Sequence, residues 1–220
     1  MANIVVFDLD RTITRMGTYT PFLLFYTKKE APWRLVFAPF IILAMIGYKL
    51  KLLTRSHLKT FMFLLLVGKV ERNTMDRVAK AFAKQTLEND CFGDAATAIS
   101  QHLKAGDTLI LATASFAFYA KMIATRLGFH HCIGSPLKSD EKYYYPSMPG
   151  PNCYGQAKAD YIEQFLAAND LQQDIHTFYT DDKSDMPTVE RAKFKILVNP
   201  KTKFRQLAQP LENVTIHEWS

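Results

Sequence analysis

Cysteine is scarce in this chain. Its three residues, Cys91, Cys132 and Cys153, are an odd, scattered set with no Cys-x-x-Cys spacing, so neither a disulfide framework nor a zinc site is indicated, and free thiols in a reducing compartment are expected. A secretory leader is missing too. The chain enters the run Ile4, Val5, Val6, Phe7 at once and meets acidic residues directly after it, which points to a cytoplasmic protein. No repeat or low-complexity tract appears. The longest uncharged run in the first half, residues 35–48, has fourteen residues, too few to span a bilayer.

What is present is enough apolar material for a core. With 48% hydrophobic residues in a chain of 220, disorder is excluded as the main state, and a substantial domain plus a smaller second one is expected. The net charge of +6 permits an anionic partner, whether phosphate ester, acidic lipid or nucleic acid. That charge is unevenly placed. Residues 21–70 carry eight basic residues and one acidic residue, a net +7, so the rest of the chain is close to neutral.

The chain is organised around its opening stretch. Four successive β-favouring apolar residues suit a strand buried on both faces of a parallel sheet. The strand ends in Asp8 and Asp10, spaced i and i+2, and the carboxyl end of a central strand is where an open α/β sheet forms its ligand crevice. Alone, two such aspartates also suit a strand end and turn cap. From Tyr19 to about Asn89 the sequence reads as helical, punctuated by Pro21, Pro32, Pro39, Gly47 and Gly68. The spacing of Met75, Val78, Ala79, Phe82 and Ala83 predicts an amphipathic helix. Two apolar runs, residues 35–48 and 61–68, are either buried all round as the insert's own core or in contact with lipid.

Beyond Gly93 the pattern alternates. It predicts a helix through Ala95 to Leu103 ending near Gly106, a strand from Thr108 to Thr113, and a helix from about Phe116 to Leu127 stopping at Gly128. A short strand near Cys132 and Ile133 and a loop or hairpin with the Tyr-Tyr-Tyr-Pro sequence come next. A helix from Gln156 to Ala168, a strand from His176 to Thr180, a short helix after Asp185 and a last strand from Phe194 to Val198 complete the reading. Strands alternating with helices imply right-handed parallel crossovers.

Four segments then form an ordered set. They are Asp-Leu-Asp-Arg-Thr (8–12), Ala-Thr-Ala-Ser (112–115), Gly-Gln-Ala-Lys-Ala-Asp (155–160) and Thr-Asp-Asp-Lys-Ser-Asp (180–185). Three lie at predicted strand ends and the other places Lys158 at a helix start. In this order they resemble the four motifs of the haloacid dehalogenase (HAD) superfamily over nearly the whole chain. The helical insert looks like the cap of its phosphoserine-phosphatase-like branch, subclass IB, and in length and hydrophobicity is similar to the caps of the phosphatidylglycerophosphatase C type.

The resemblance implies a Rossmann-like α/β core, residues 1–15 and 90–220, with a helical cap, residues 16–89, after the first strand. It implies a Mg²⁺-dependent phosphatase in which Asp8 is the nucleophile and a metal ligand. Asp10 acts as acid and base and offers a main-chain carbonyl to the metal, Thr113 and Lys158 bind the phosphoryl group, Asp181 binds the metal, and Asp185 binds it directly or through water. Arg11 stands where many relatives have glycine, and Asp182 where they often have a small residue. The physics of phosphoryl transfer agrees: a phosphate monoester carries about −1.5 to −2 charge, so an aspartate approaches phosphorus only with cations nearby, and oxygen donors suit Mg²⁺.

The implied substrate is a phosphate monoester, with a phospholipid headgroup phosphate such as phosphatidylglycerophosphate as the leading reading and a soluble phosphoserine-like metabolite as the alternative. Peripheral contact with the cytoplasmic face of an anionic membrane goes with the first. Phosphotransfer to another alcohol would use the same residues, and a non-catalytic anion-binding module is the other class. No nucleic-acid motif appears. His130, His131 and Cys132 lack the spacing of a metal site and read as a strand edge.

Overall fold

The computed structural model describes residues 2–171 and 174–220. Its frame is a six-stranded parallel sheet. The strands are β1 (Ile4–Phe7), β3 (Thr108–Phe116), β4 (His131–Ser135), β6 (Ile175–Thr180), β7 (Phe194–Val198) and β8 (Val214–His217), in the spatial order β4-β3-β1-β6-β7-β8. β1 is central, with Val5 opposite Leu109 of β3 and Val6 opposite Phe178 of β6. This is the α/β arrangement expected, and it places the first strand's carboxyl end at the middle of the sheet's edge, where crossovers to either side leave a crevice.

The period of two along a strand divides the core into two layers. Val5, Phe7, Leu109 and Leu111 join one apolar cluster with α4 (Arg72–Asn89), α5 (Gly93–Ala105) and α6 (Ala117–Leu127). Ile4, Val6, Ile110 and Phe178 join the other with α7 (Gln156–Ala168), α8 (Met186–Val189) and α9 (Thr202–Ala208). Both α5 and α6 end where expected. Gly106 and Gly128 take left-handed φ values of 77° and 82°, which glycine adopts without a Cβ penalty.

The insert is α1 (Tyr19–Glu30), a 3₁₀ turn (Pro32–Phe37), α2 (Ala38–Lys49), α3 (Arg55–Leu66), the short strand β2 (Val70–Glu71) and α4. Its two connections to the sheet run side by side: Arg15 N–H donates to the Asp90 carbonyl at 2.7 Å and Phe92 N–H to the Ile13 carbonyl at 3.0 Å. Two of the expected breaks are helix starts. Pro21 and Pro39 each lie in the first turn of their helices, α1 and α2, where a missing N–H leaves no partner unsatisfied.

Three further differences have simple causes. β3 runs three residues past Thr113, and β8 is a sixth strand where none was expected, because a short edge strand with little burial carries no apolar run. β2 pairs antiparallel with β5 (Tyr143–Tyr144) through two residues, too few for alternation to register. The apolar runs also divide. In α3 Met62, Phe63 and Leu66 are buried, whereas in α2 only Ile41 and Ala44 are, so that helix is not the insert's core.

Candidate active site

The carboxyl end of β1 opens into a cavity of about 330 Å³ whose lining includes Asp8, Asp10, Arg11, Lys158, Asp181 and Asp185. Asp8 leaves the strand 6% exposed. The chain turns sharply after it through Arg11, whose φ of 66° is left-handed. The tight turn is thus made without glycine, at a cost of roughly 1–2 kcal/mol for an L-residue.

Lys158 connects two motifs. It is 2% exposed, and its Nζ donates to Asp8 Oδ1 at 2.8 Å and to Asp185 Oδ2 at 2.7 Å. The Thr180 hydroxyl donates to that same Asp185 oxygen at 2.7 Å. Burial alone would lower the lysine's pKa, but the carboxylates of Asp185 and Asp8 outweigh it and hold the ammonium above its ordinary value. Lys158 is therefore a fixed cation at neutral pH.

The acids carry the opposite strain. Burial pushes the Asp8 carboxyl up to about 7, Asp185 and Asp10 adding repulsion against the pull of Lys158. Asp181, at the end of β6, is pushed up to about 8 by burial and then by the charge of Asp8. Asp185 Oδ1 is buried with no protein partner. Such a set lacks positive charge.

Asp10 is held differently. Its Oδ1 accepts from Thr18 N–H at 2.6 Å and Thr18 Oγ1 at 2.7 Å, and its Oδ2 from Ser115 Oγ at 2.9 Å. One carboxylate is thus fixed by the entry to the insert and by the end of β3. Thr113 is fully buried and does not line the cavity; its Oγ1 accepts from Ser115 N–H at 3.0 Å, and the next residue, Ala114, is the one at the wall. Asp182, whose role the sequence left open, accepts from Ser184 N–H at 2.9 Å and caps the turn before α8.

Sequence reasoning missed the insert's own contribution. Lys59, on α3, is 6% exposed, and its Nζ donates to the Ala114 carbonyl at 2.7 Å and to Asn152 Oδ1 at 2.8 Å. It also lies 4.3 Å from the centre of the Phe116 ring. Burial pushes this ammonium down to about 7, with Arg55 adding repulsion. Arg55 reaches the same cavity and stacks 4.0 Å above the Tyr154 ring. Neither stood out among the eight basic residues of positions 21–70, because a lysine on an amphipathic helix has the same local signature whether its head is solvated or buried.

The donors available for a metal are oxygens only. Among the described residues no three His, Cys, Asp or Glu side chains form a ready metal cage. Two carboxylates, Asp8 and Asp181, with the Asp10 main-chain carbonyl suit Mg²⁺, which keeps several waters and takes few protein ligands plus substrate phosphate. The upward shifts of Asp8 and Asp181 and the orphaned Asp185 oxygen fit a divalent cation between them. The His130–Cys132 segment lies on or beside β4, away from this cavity's lining.

The family described as haloacid dehalogenase-like hydrolase matches residues 5–190. The chain is 28% identical over 108 residues to phosphoserine phosphatase SerB1 of Mycobacterium tuberculosis, a match covering 49% of this chain and 35% of that protein. The aligned part thus spans about a third of the relative's length. Among solved structures, a Bordetella pertussis Tohama I protein of unknown function superimposes with a TM-score of 0.85 at 22% identity, covering 99% of each chain. A substrate-bound phosphoserine phosphatase gives 0.64 at 12% identity over 98% of this chain and 99% of that one. These likenesses show the fold.

Proposed function

The chain belongs to the haloacid dehalogenase-like hydrolases, and we propose that it is a Mg²⁺-dependent phosphatase acting on the monoester of a small phosphorylated molecule through an aspartyl-phosphate on Asp8. The observation that carries this reading is the buried arrangement in which Lys158 bridges Asp8 and Asp185 beside Asp181 in one cavity. In this assignment residues 16–89 are the cap and residues 1–15 and 90–220 the core.

The residues divide the work as follows. Lys158 fixes Asp8 through Oδ1 and leaves Oδ2 for in-line attack on phosphorus, with the P–O bond to the alcohol breaking as the new bond forms. Asp10 gives a proton to the departing oxygen and later takes one from the water that attacks the phosphoryl group, restoring Asp8. Thr113, its Oγ1 accepting from Ser115 N–H, keeps its own O–H as the donor assigned to a phosphoryl oxygen, from a position just behind the wall at Ala114. Asp8, Asp181 and the Asp10 main-chain carbonyl, with Asp185 supporting, would hold Mg²⁺, which would supply the positive charge that keeps these carboxylates ionised beside an anionic substrate.

A phosphoserine-sized leaving group is the first reading of the substrate, supported by the relative named for that activity and by the polar cavity with Arg55 at its wall. The phospholipid headgroup reading rests on one feature. A second cavity shares Asp10, Tyr19, Thr20, Arg55 and Ala114 with the first and continues to Met45, Tyr48, Leu58 and Met62 of α2 and α3, an apolar path for an alcohol carrying acyl chains. A phosphate-release screen across phosphoserine, sugar phosphates and phosphatidylglycerophosphate in detergent separates the two, and a competing alcohol acceptor detects phosphotransfer. The Asp8→Asn protein is expected to lose at least about a thousandfold in kcat on p-nitrophenyl phosphate; wild-type turnover by that variant would end the proposal.

A further inference from the structure

The surface of the insert departs from that of the rest of the protein. Of the eighteen large apolar side chains exposed among the described residues, thirteen lie between Trp33 and Leu64. They include Val36, Phe40, Ile42, Ile46 and Leu52, with Val36 at 67% and Leu52 at 75% exposure. Contiguous exposed apolar area on this scale marks an interaction surface. Residues 31–70 contain no Asp or Glu, but they carry Arg34, Lys49, Lys51, Arg55, Lys59 and Lys69. Exposed Lys28, Lys29, Lys49 and Lys51 lie at its edges.

We infer that this face of the insert docks on an anionic lipid bilayer, with α2 lying in the interface. A helix of apolar surface rimmed by cations gains from acyl contact and from negative headgroups together. The continuous helical stretch Pro32–Lys49 has eighteen residues and by length and composition alone could cross a membrane; its attachments to the rest of the insert place it in the interface instead. The helix is tied to the protein: Ile41 and Ala44 are buried, and the Arg34 guanidinium just before it donates to the Leu64 and Leu65 carbonyls at 3.1 and 3.0 Å.

Other occupants fit less well. An isologous contact with a second copy would bring the same unpaired cations face to face, with no carboxylate in residues 31–70 to meet them. Single-stranded nucleic acid needs aromatic platforms, and this face is mainly aliphatic. The inference concerns what the insert rests on and does not depend on which alcohol Asp8 releases.

The test is co-sedimentation of the full chain with vesicles of phosphatidylcholine alone or mixed with phosphatidylglycerol. Binding is expected with the mixed vesicles, weakened but retained at high salt. The combined variant Phe40→Ser, Ile42→Ser, Ile46→Ser is expected to bind about a hundredfold more weakly, with unchanged turnover of soluble p-nitrophenyl phosphate. Absence of binding to the mixed vesicles at low salt, wild-type binding by the triple variant, or a solution dimer that the triple variant dissociates would each overturn the inference. The Asp8→Asn protein is expected to sediment like wild type, so failure of docking and failure of the chemistry are read separately.

Discussion

In the sheet, Val5 and Phe7 face one helical layer, Ile4 and Val6 face the other, and all four are buried. In α2, a helix of similar apolar character, only Ile41 and Ala44 are covered. The same residue types thus build a core in one region and a surface in the other. What separates them is the partner: the strand has neighbours on both sides, whereas α2 rests on α3 and the turn before it. The core also carries its charge as paired groups, Lys158 between two aspartates, while residues 31–70 of the insert carry cations without acids. The insert meets the cavity through Thr18, which donates to Asp10, and Arg55 at the wall, while Lys59 holds the Ala114 carbonyl beside it.

The largest effect that would test this division is in the core. Lys158→Met leaves Asp8 and Asp185 buried without their cation, and breaking such a pair costs about 3–5 kcal/mol of stability. Activity is expected to fall by about a hundredfold or more, since Asp8, the proposed nucleophile, loses both its anchor and its countercharge. Denaturant melts and kcat on p-nitrophenyl phosphate measure the two losses. A Lys158→Met protein as stable and active as wild type would show that the buried pair does not organise the site.

On the insert's side, Lys59→Met should separate activity from stability. The lysine has neutral acceptors only, and the Ala114 carbonyl keeps a second donor in Ser135 Oγ at 2.7 Å. Replacing a buried cation by an apolar side chain of similar length is expected to change stability by no more than about 1 kcal/mol. Because Lys59 steadies the peptide between Ala114 and Ser115, whose N–H holds the Thr113 hydroxyl, kcat is expected to fall by about ten- to a hundredfold with a smaller change in KM. An equal loss of stability and activity in Lys158→Met and Lys59→Met would erase the distinction between the two regions.

Protonation provides a subtler contrast. In the metal-free protein the carboxyls of Asp8 and Asp181 sit at about 7 and about 8, against ordinary values near 4 in the unfolded chain. The folded state therefore binds more protons than the unfolded state between about pH 4 and 8, and stability falls as pH rises through that window. Metal binding needs the ionised forms and reverses the trend. Thermal melts in chelator are expected to drop by several degrees from pH 5 to pH 7, and the Mg²⁺-induced gain to be larger at pH 7 than at pH 5. Lys59, at about 7, opposes this only above neutrality.

These contrasts also explain what the sequence disclosed. A strand buried on both faces announces itself as a continuous apolar run, and Asp8, Lys158, Asp181 and Asp185 could be located because each sits at a strand end or helix start. Gly106 and Gly128 mark helix ends by their chemistry. Thr113 was less legible, since its position in order does not tell that Ala114 and not its own side chain reaches the cavity wall. An apolar helix reads alike whether it is covered or bare, so α2 was ambiguous. Lys59 was hidden because burial of a lysine head depends on Ala114 and Asn152, more than fifty residues away in the chain.

The smallest expected effect lies where the two regions join. Arg11 holds a left-handed backbone that glycine would adopt freely, so Arg11→Gly is expected to change stability by only about 0.5–1 kcal/mol, in the stabilising direction if relief of the backbone exceeds the added freedom of the unfolded chain. The guanidinium also draws the Asp181 carboxyl downward. Its removal should therefore move the acidic limb of the pH–rate profile upward while leaving the rate at high pH nearly unchanged. An unaltered limb with a stabilised fold would assign Arg11 to the turn alone; a shifted limb would show that the cation on the turn helps keep the core's acids ionised.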